Sequence, residues 1–156
     1  MKTVFALDMI VKKDIVNELI RLKQEQFQRL MLEQKEKLEN ANLEDIDKGD
    51  LLESPRQQMM AEIELQATRV DGVKADIDTL KRIDLTKAYT HVAHGALIRA
   101  NIGFILVGVA SWSFVFGEQK VLGITTNSSL YKKMDGLKEH TEFHLGEIEY
   151  IIFDII

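Results

Sequence analysis

Apolar residues in the first half of the chain recur at helical spacing. Residues 12–84 are rich in Glu, Lys, Gln, Arg and Leu, which are good helix formers, and contain glycine only at positions 49 and 72. In the later part of this stretch the apolar residues follow one another at steps of three and four, which is typical of a helix packed along a partner. They are Met59, Ile63, Ala67, Val70, Val73, Ile77, Leu80 and Ile83.

The earlier part of the stretch has a looser series of the same kind. Its apolar positions are Ile15, Leu19, Leu22, Leu30, Leu38 and Ala41, with Val16, Ile20 and Phe27 widening the face. Each arm has about 30 residues and would extend about 45 Å as a helix. The pattern breaks at Asp47-Lys48-Gly49-Asp50, so the simplest structure is an antiparallel helical hairpin with its loop at the far tip.

The start of the second helix is well marked. Ser54 can cap it, Pro55 suits the first helical position, and Gln57 completes a Ser-x-x-Gln capping box. Asp50 and Glu53 are then predicted to lie just before the helix N-terminus, where the helix dipole favours carboxylates. The acidic tip at residues 45–53 therefore either serves solvation alone or is directed at a positively charged partner.

From about Tyr89 the sequence becomes typical of a β-rich domain. Gly103, Gly117 and Gly146 lie at plausible turns between strands, and a short helix is predicted over Asn127–Gly136. Six strands are predicted near Gly95–Arg99, Phe104–Ala110, Ser113–Phe116, Lys120–Thr125, Glu142–Glu147 and Glu149–Ile155. The fold class is therefore α+β, with the hairpin in residues 1–86 and a small sheet domain in residues 87–156.

Composition excludes several classes of protein. The net charge of -5 argues against autonomous binding of duplex DNA, because phosphate binding depends on a basic surface. The absence of cysteine excludes disulfides and Cys-based zinc sites and fits a reducing compartment. Residues 100–117 carry no charge, but their three glycines favour short buried strands over a membrane span. We expect a cytoplasmic protein with no membrane association.

The tip segment Gly49-Asp50-Leu51-Leu52-Glu53-Ser54 resembles the hairpin-tip signature of the Gre transcript-cleavage factors. That signature reads glycine, aspartate, leucine, any residue, glutamate, asparagine, so that Asp50 and Glu53 fall on its two acidic positions. The order of parts is also similar. The resemblance implies an N-terminal antiparallel coiled-coil hairpin followed by a small FKBP-like antiparallel sheet domain with a short helix.

A segment of the second domain adds to the resemblance. Ser128-Ser129-Leu130, followed by Met134 to Lys138, is similar to the family's segment of serine, proline, isoleucine, then leucine, any residue, glycine and a basic residue. The implied polymerase-docking residues are Ser128, Ser129, Leu130, Met134 and Gly136. Ser54 stands where the family has asparagine, and Ser129 where it has proline.

The resemblance implies a transcription elongation factor that binds RNA polymerase through its secondary channel and stimulates cleavage of backtracked RNA. Asp50 and Glu53 would be the catalytic and metal-binding residues, holding Mg²⁺ jointly with the polymerase and not in the free protein. Mg²⁺ prefers oxygen ligands, and two-metal phosphodiester cleavage needs a second ion. The chain would stimulate the polymerase's own cleavage, would meet the nascent RNA 3′ end only indirectly, and would not be an autonomous enzyme.

Two other functions stay open. The chain could regulate RNA polymerase without stimulating cleavage. Alternatively, it could be a coiled-coil adaptor or structural protein whose acidic tip is merely solvated; its contacts would then run along Met59, Ile63 and Val70.

The remaining candidate sites are interpreted as structural. His91 and His94 have no evident third ligand and, like His140 and His144, are interpreted as surface histidines. Aromatic residues in short strands are usually core, and this interpretation covers Phe104, Trp112, Phe114 and Phe116.

Overall fold

The structure, a computed structural model, describes the backbone of residues 2–48 and 53–156 and the side chains of residues 8–40 and 56–156. Two long helices come first, α1 (Lys2–Lys48) and α2 (Glu53–Lys81). A sheet follows, with a short helix, α3 (Ser129–Met134), before its last two strands. The strands are β1 (Leu97–Ala100), β2 (Gly103–Val107), β3 (Phe114–Phe116), β4 (Gln119–Ile124), β5 (Glu142–Leu145) and β6 (Ile148–Ile155).

This architecture confirms the predicted fold class and all six predicted strands. The main difference among the helices is the start of α1, which begins at Lys2 and not near residue 12. Within residues 2–48 and 53–156, none of the helices combines the length and the apolar composition that crossing a bilayer requires.

The chain divides into two compact units. One contains Met1–Glu18 together with Thr79–Ile156, and the other is Leu19–Asp78. The first turns of α1 therefore belong to the sheet-containing unit. The predicted boundary at residue 86 separates helices from strands along the sequence, whereas the two units are defined by contacts in space. We call these the sheet unit and the hairpin unit.

The sheet has the strand order β3-β4-β2-β1-β6-β5. Four of its neighbouring pairs are antiparallel, but β2 and β4 are parallel, with Phe104 opposite Val121. The prediction of a wholly antiparallel sheet was wrong at this pair. The reason is that β3 forms the outer edge and returns through a tight turn into β4, which then runs alongside β2 in the same direction.

The main core of the sheet unit lies between the sheet and α3. Leu130 and Met134 of α3 are buried against apolar side chains from the strands. The C-terminal segment is part of this core, as its apolar composition predicts. The strand residues of the cluster include Ile98, Ile105, Val107, Ile124, Tyr150, Ile152 and Ile155.

Trp112 departs from the predicted core. Its side chain is 94% exposed, whereas Phe104 is buried and Phe114 and Phe116 are half-buried. The loop before β3 is fixed at Ser111, whose N–H donates to the Gly123 carbonyl (3.1 Å) and whose hydroxyl accepts from the Gly123 N–H (2.9 Å). Trp112 lies just beyond this attachment and is left in solvent.

A polar contact joins the first turns of α1 to the rest of the sheet unit. Lys12 is fully buried, and its Nζ donates to the carbonyl of Ile156 (3.0 Å) and lies 4.4 Å from the centre of the Tyr89 ring. Asp8 lies 3.5 Å from the guanidinium of Arg99 in β1. Asp8 thus lies in the first turns of α1 with a charged partner in β1.

Burial lowers the pKa of Lys12 from 10.5 to about 8, although the carboxylate of Asp84 acts in the opposite direction. Between these two pH values the unfolded chain binds more protons at this residue than the folded chain does. The free energy of unfolding therefore gains a contribution as pH rises through this window.

We expect Lys12→Met to remove this contribution. The free energy of unfolding of the parent chain minus that of the variant should rise by up to about 3 kcal/mol as the pH is raised from about 8 to 10.5. Urea unfolding at several pH values measures the difference. Lys13→Met, at the exposed neighbouring position, is the control. Parallel pH profiles for the parent and Lys12→Met would contradict the argument.

Gly103 begins β2 at a point where the backbone leaves no room for a side chain. Its φ is +121°, and an added Cβ would lie 2.4 Å from the carbonyl oxygen of Lys120 in β4. Gly117, in the turn between β3 and β4, has a φ of +62° and open space around it.

Gly103→Ala should lower the free energy of unfolding by about 3 kcal/mol, because it combines an unfavourable backbone conformation with a backbone clash. Gly117→Asn should change it by less than about 1 kcal/mol, since asparagine tolerates the left-handed region. Chemical denaturation of the two variants tests this contrast. Equal losses would mean that the close approach to Lys120 is unimportant.

Candidate functional site

The hairpin unit is held together by polar contacts between α1 and α2. Nζ of Lys23 lies 3.0 Å from Oδ2 of Asp76. Farther along α1, the side chain of Gln66 donates to the Leu30 carbonyl (3.3 Å) and to Glu33 Oε2 (3.1 Å) and accepts from Lys37 Nζ (2.8 Å). As the residue number rises on α1 it falls on α2, so the two helices are antiparallel, as predicted.

Gln66 is the buried centre of this arrangement, with only 2% of its surface exposed. The sequence pattern assigned the seam position to Ala67, which is half-buried. The spacing could have identified Gln66, since it lies three residues after Ile63 and four before Val70. A buried polar residue at a helix–helix seam favours one register over its alternatives because only one register satisfies its hydrogen bonds.

The acidic tip lies where the two helices are connected. α1 ends at Lys48 and α2 begins at Glu53. Asp50 lies outside the described residues, and of Glu53 only the backbone is described, as the first residue of α2. The assignment of both carboxylates as metal ligands therefore stays a prediction.

The predicted start of α2 needs a small correction. Ser54 was expected to precede the helix as its cap, but the helix already includes Glu53, so Ser54 and Pro55 lie within its first turn. Proline is tolerated there because the first N–H groups of a helix have no intrahelical acceptor. Glu53 is thus placed at the positive end of the helix dipole and not before it.

The titratable side chains that the structure describes do not form a candidate metal site. Among the residues with described side chains, no group of three or more His, Asp or Glu residues could hold a metal ion. His91, His94, His140 and His144 are all exposed. Nδ1 of His91 lies 3.3 Å from the hydroxyl of Thr90.

The predicted docking segment is divided between core and surface. Ser128 caps α3 by accepting from the N–H of Tyr131 (3.0 Å), and Leu130 and Met134 are buried in the core. Ser129 and Gly136 are exposed. If this segment binds a partner, these last two supply the contact and the buried pair fixes the position of the helix.

The adaptor hypothesis assigned partner contacts to Met59, Ile63 and Val70. Val70 is buried and the other two are half-buried. Their spacing places them on the side of α2 that carries Gln66 and faces α1. These residues therefore hold the hairpin together.

Comparison with known proteins gives structural neighbours only. No family model matches the sequence, and no curated protein matches it. Similar solved structures include one of the transcription factor Gfh1, at 12% identity and a TM-score of 0.36, covering 87% of this chain and 92% of that chain.

Two further similar structures carry the same name. GreA factor homolog 1 (Gfh1) of Thermus thermophilus is 13% identical, with a TM-score of 0.37, over 88% of this chain and 94% of that one. Gfh1 of Thermus aquaticus is 12% identical, with a TM-score of 0.31, over 92% of each chain. Similarity at this level assigns neither an activity nor the role of any residue, which have to be argued from the chain itself.

Gln66→Ala should lower the free energy of unfolding by about 1–2 kcal/mol, because it removes three hydrogen bonds at a buried position. Gln58→Ala, at an exposed position of the same helix, should have little effect. Circular dichroism during urea unfolding measures both. If the two variants unfold alike, the cross-helix contacts of Gln66 contribute nothing to stability.

Proposed function

We propose that the chain binds RNA polymerase, that its hairpin enters the secondary channel, and that Asp50 and Glu53 stimulate cleavage of backtracked RNA. One observation carries the proposal. Two antiparallel helices are held in a single register by Gln66, and the sequence Gly-Asp-x-x-Glu, residues 49–53, stands between the end of the first and the start of the second. Because the same fold can serve unrelated functions, the acidic residues at the turn carry the argument and not the fold.

The dimensions of the hairpin suit delivery of these carboxylates to a recessed site. α2 has 29 residues, which corresponds to a length of about 43 Å. The cross-helix contacts at Lys23, Gln66 and Lys37 fix the part of the hairpin between residues 66 and 76 of this helix. A hairpin fixed in this way can hold its far end at a defined distance from its base.

The donor set fits Mg²⁺ shared with a partner. Carboxylate oxygens are the ligands that Mg²⁺ prefers, and it is often held by only one or two of them. Two carboxylates alone make a poor site, so the polymerase would complete it. When bound there, the ion would activate water and stabilise negative charge. In this proposal Asp50 and Glu53 present oxygen ligands, and the positive end of the α2 dipole favours a carboxylate at the position of Glu53.

The sheet unit would dock on the outside of the polymerase through Ser129 and Gly136, the exposed members of the α3 segment. A second candidate is regulation without cleavage. It is favoured by Ser54 and Ser129, which stand where Gre factors have asparagine and proline. Both candidates place the protein in the cytoplasm with RNA polymerase as its partner.

The decisive experiment is transcript cleavage in purified, backtracked polymerase complexes. We expect Asp50→Asn and Glu53→Gln each to lower the Mg²⁺-dependent cleavage rate by about 100-fold, or about 2.7 kcal/mol, with polymerase binding retained. Asp45→Asn, outside the Gly-Asp-x-x-Glu segment, is the matched control and should retain activity.

The other outcomes separate the alternatives. Binding by the parent chain without any cleavage would assign the regulatory function. No binding at all would exclude the polymerase as partner and leave the adaptor. Cleavage that survives both substitutions would remove Asp50 and Glu53 from the mechanism.

A further inference from the structure

One broad face of the hairpin unit carries an exposed apolar strip. The side chains of Met31 and Leu38 on α1 are each 44% exposed, and that of Met60 on α2 is 50% exposed. Met31 directly follows Leu30, and Leu38 directly follows Lys37, both of which contact α2. One residue is about 100° of rotation, so both side chains lie about a quarter-turn from the seam.

Residues of α2 continue the strip on the same face. Ala67 directly follows Gln66, and Met60 lies one residue after the half-buried Met59. When both helices are viewed from the same end of the hairpin, one step forward along the sequence rotates clockwise on one helix and anticlockwise on the other, because the helices are antiparallel. Residues that directly follow a seam residue, on either helix, therefore lie on the same face of the hairpin. The strip consists of the exposed Met31, Leu38 and Met60 and the half-buried Ala67, and the half-buried Phe27 and Ile63 line its border with the seam.

The opposite face is different in character. Residues one step before the seam include the charged Arg29 and Glu36 on α1 and Arg69 on α2. On the strip's own face, charged residues follow the seam of α2 only after Ala67, at Asp71, Lys74 and Asp78. Leu65 is an exposed apolar residue on that face, without neighbours of its kind in the sequence pattern. The strip therefore lies on one face, in the part of the hairpin unit that contains residues 27–38 and 60–67, and a partner would cover that part of the face.

The charges beside the strip indicate which partner fits. Two pairs that contact across the hairpin, Lys23 with Asp76 and Glu33 with Gln66, have residue numbers that add to 99. Leu30 and Lys37, which also contact Gln66, lie about one turn to either side of Glu33. By the same register Lys35, at the outer margin of α1, is level with Glu64, at the outer margin of α2. Seven residues earlier on α1 and seven residues later on α2, Gln28 is level with Asp71.

We propose that this strip binds the same strip of a second copy of the chain, in a dimer whose two-fold axis runs along the hairpin. That axis places α1 of each copy over α2 of the other at the same level. Lys35 then faces Glu64 of the second copy, and Gln28 faces its Asp71, with each pair occurring twice. The margins are self-complementary in this orientation.

The alternative orientation, with the two hairpins pointing in opposite directions, is less favourable. It places α1 over α1 and α2 over α2, which brings Lys35 toward Lys35 and Glu64 toward Glu64 near the centre of the strip. In the proposed orientation the two acidic tips lie at one end, but salt at physiological concentration screens charges that are more than about 8 Å apart.

Neighbouring residues of α1 provide a matched test of the strip. Met31→Glu places a charge on it, whereas Leu32→Glu places the same charge on the exposed far side of the helix, where Leu32 is 57% exposed. Sedimentation velocity over a wide concentration range should show a dimer for the parent chain and for Leu32→Glu. Met31→Glu should self-associate roughly 100-fold more weakly, since each dimer carries the change twice. Circular dichroism checks that both variants remain helical.

Cross-linking tests the orientation, and the absence of native cysteine makes it clean. A mixture of Lys35→Cys and Glu64→Cys chains should form a cross-linked dimer with a short bis-maleimide, whereas neither variant should cross-link alone. A parent chain that is monomeric throughout, or equal losses in Met31→Glu and Leu32→Glu, would overturn the dimer. Cross-linking of Lys35→Cys alone would overturn the orientation. These measurements use the protein alone, so the result does not depend on the polymerase proposal.

Discussion

The register between α1 and α2 is the constraint on which the hairpin depends. The seam of α2 buries the apolar residues Val70, Val73 and Ile77, but the hydrogen bonds of Gln66, on the same seam, select the register. An apolar seam of this kind accepts slippage by a turn at little cost, but a buried amide with three partners does not. A slip would also shift the point at which the chain reverses. The position of the Gly-Asp-x-x-Glu segment is therefore coupled to a residue 13 positions beyond Glu53.

The sheet unit depends in a similar way on a buried polar group. Lys12 joins the first turns of α1 to the last residue of the sheet unit through one hydrogen bond and one aromatic ring. Because its charge is desolvated, the contact fixes position more than it adds stability. Both units thus use a buried polar side chain on a long helix to specify an arrangement that apolar contacts alone would leave less defined.

The sequence predicted the elements well, because the signals for helices and for strands bounded by glycine turns are local. It failed where the outcome depends on tertiary contacts. Trp112 is exposed because Ser111 is fixed to Gly123, and β4 runs parallel to β2 because β3 takes the edge. Leu130 and Met134, which the family resemblance assigned to docking, are buried because α3 is short and packs on the sheet. Asp50 and Glu53 were identified from a motif. Their proposed roles depend on further metal ligands, which a partner would have to supply.

The two proposals for the hairpin make different demands on the same element. The acidic segment needs a partner that supplies further metal ligands, whereas the apolar strip needs one that excludes water. A dimer would turn two helices into four, so a partner site shaped for a single hairpin would not accept a hairpin covered by a second copy. Self-association would then set the amount of hairpin free to engage the polymerase. The residues that control each step are separate along the chain, since Met31 lies about 25 Å of helix before the end of α1 at Lys48, and Asp50 comes after that end in the sequence. The strip can therefore be changed without altering the carboxylates, and the carboxylates without altering the strip.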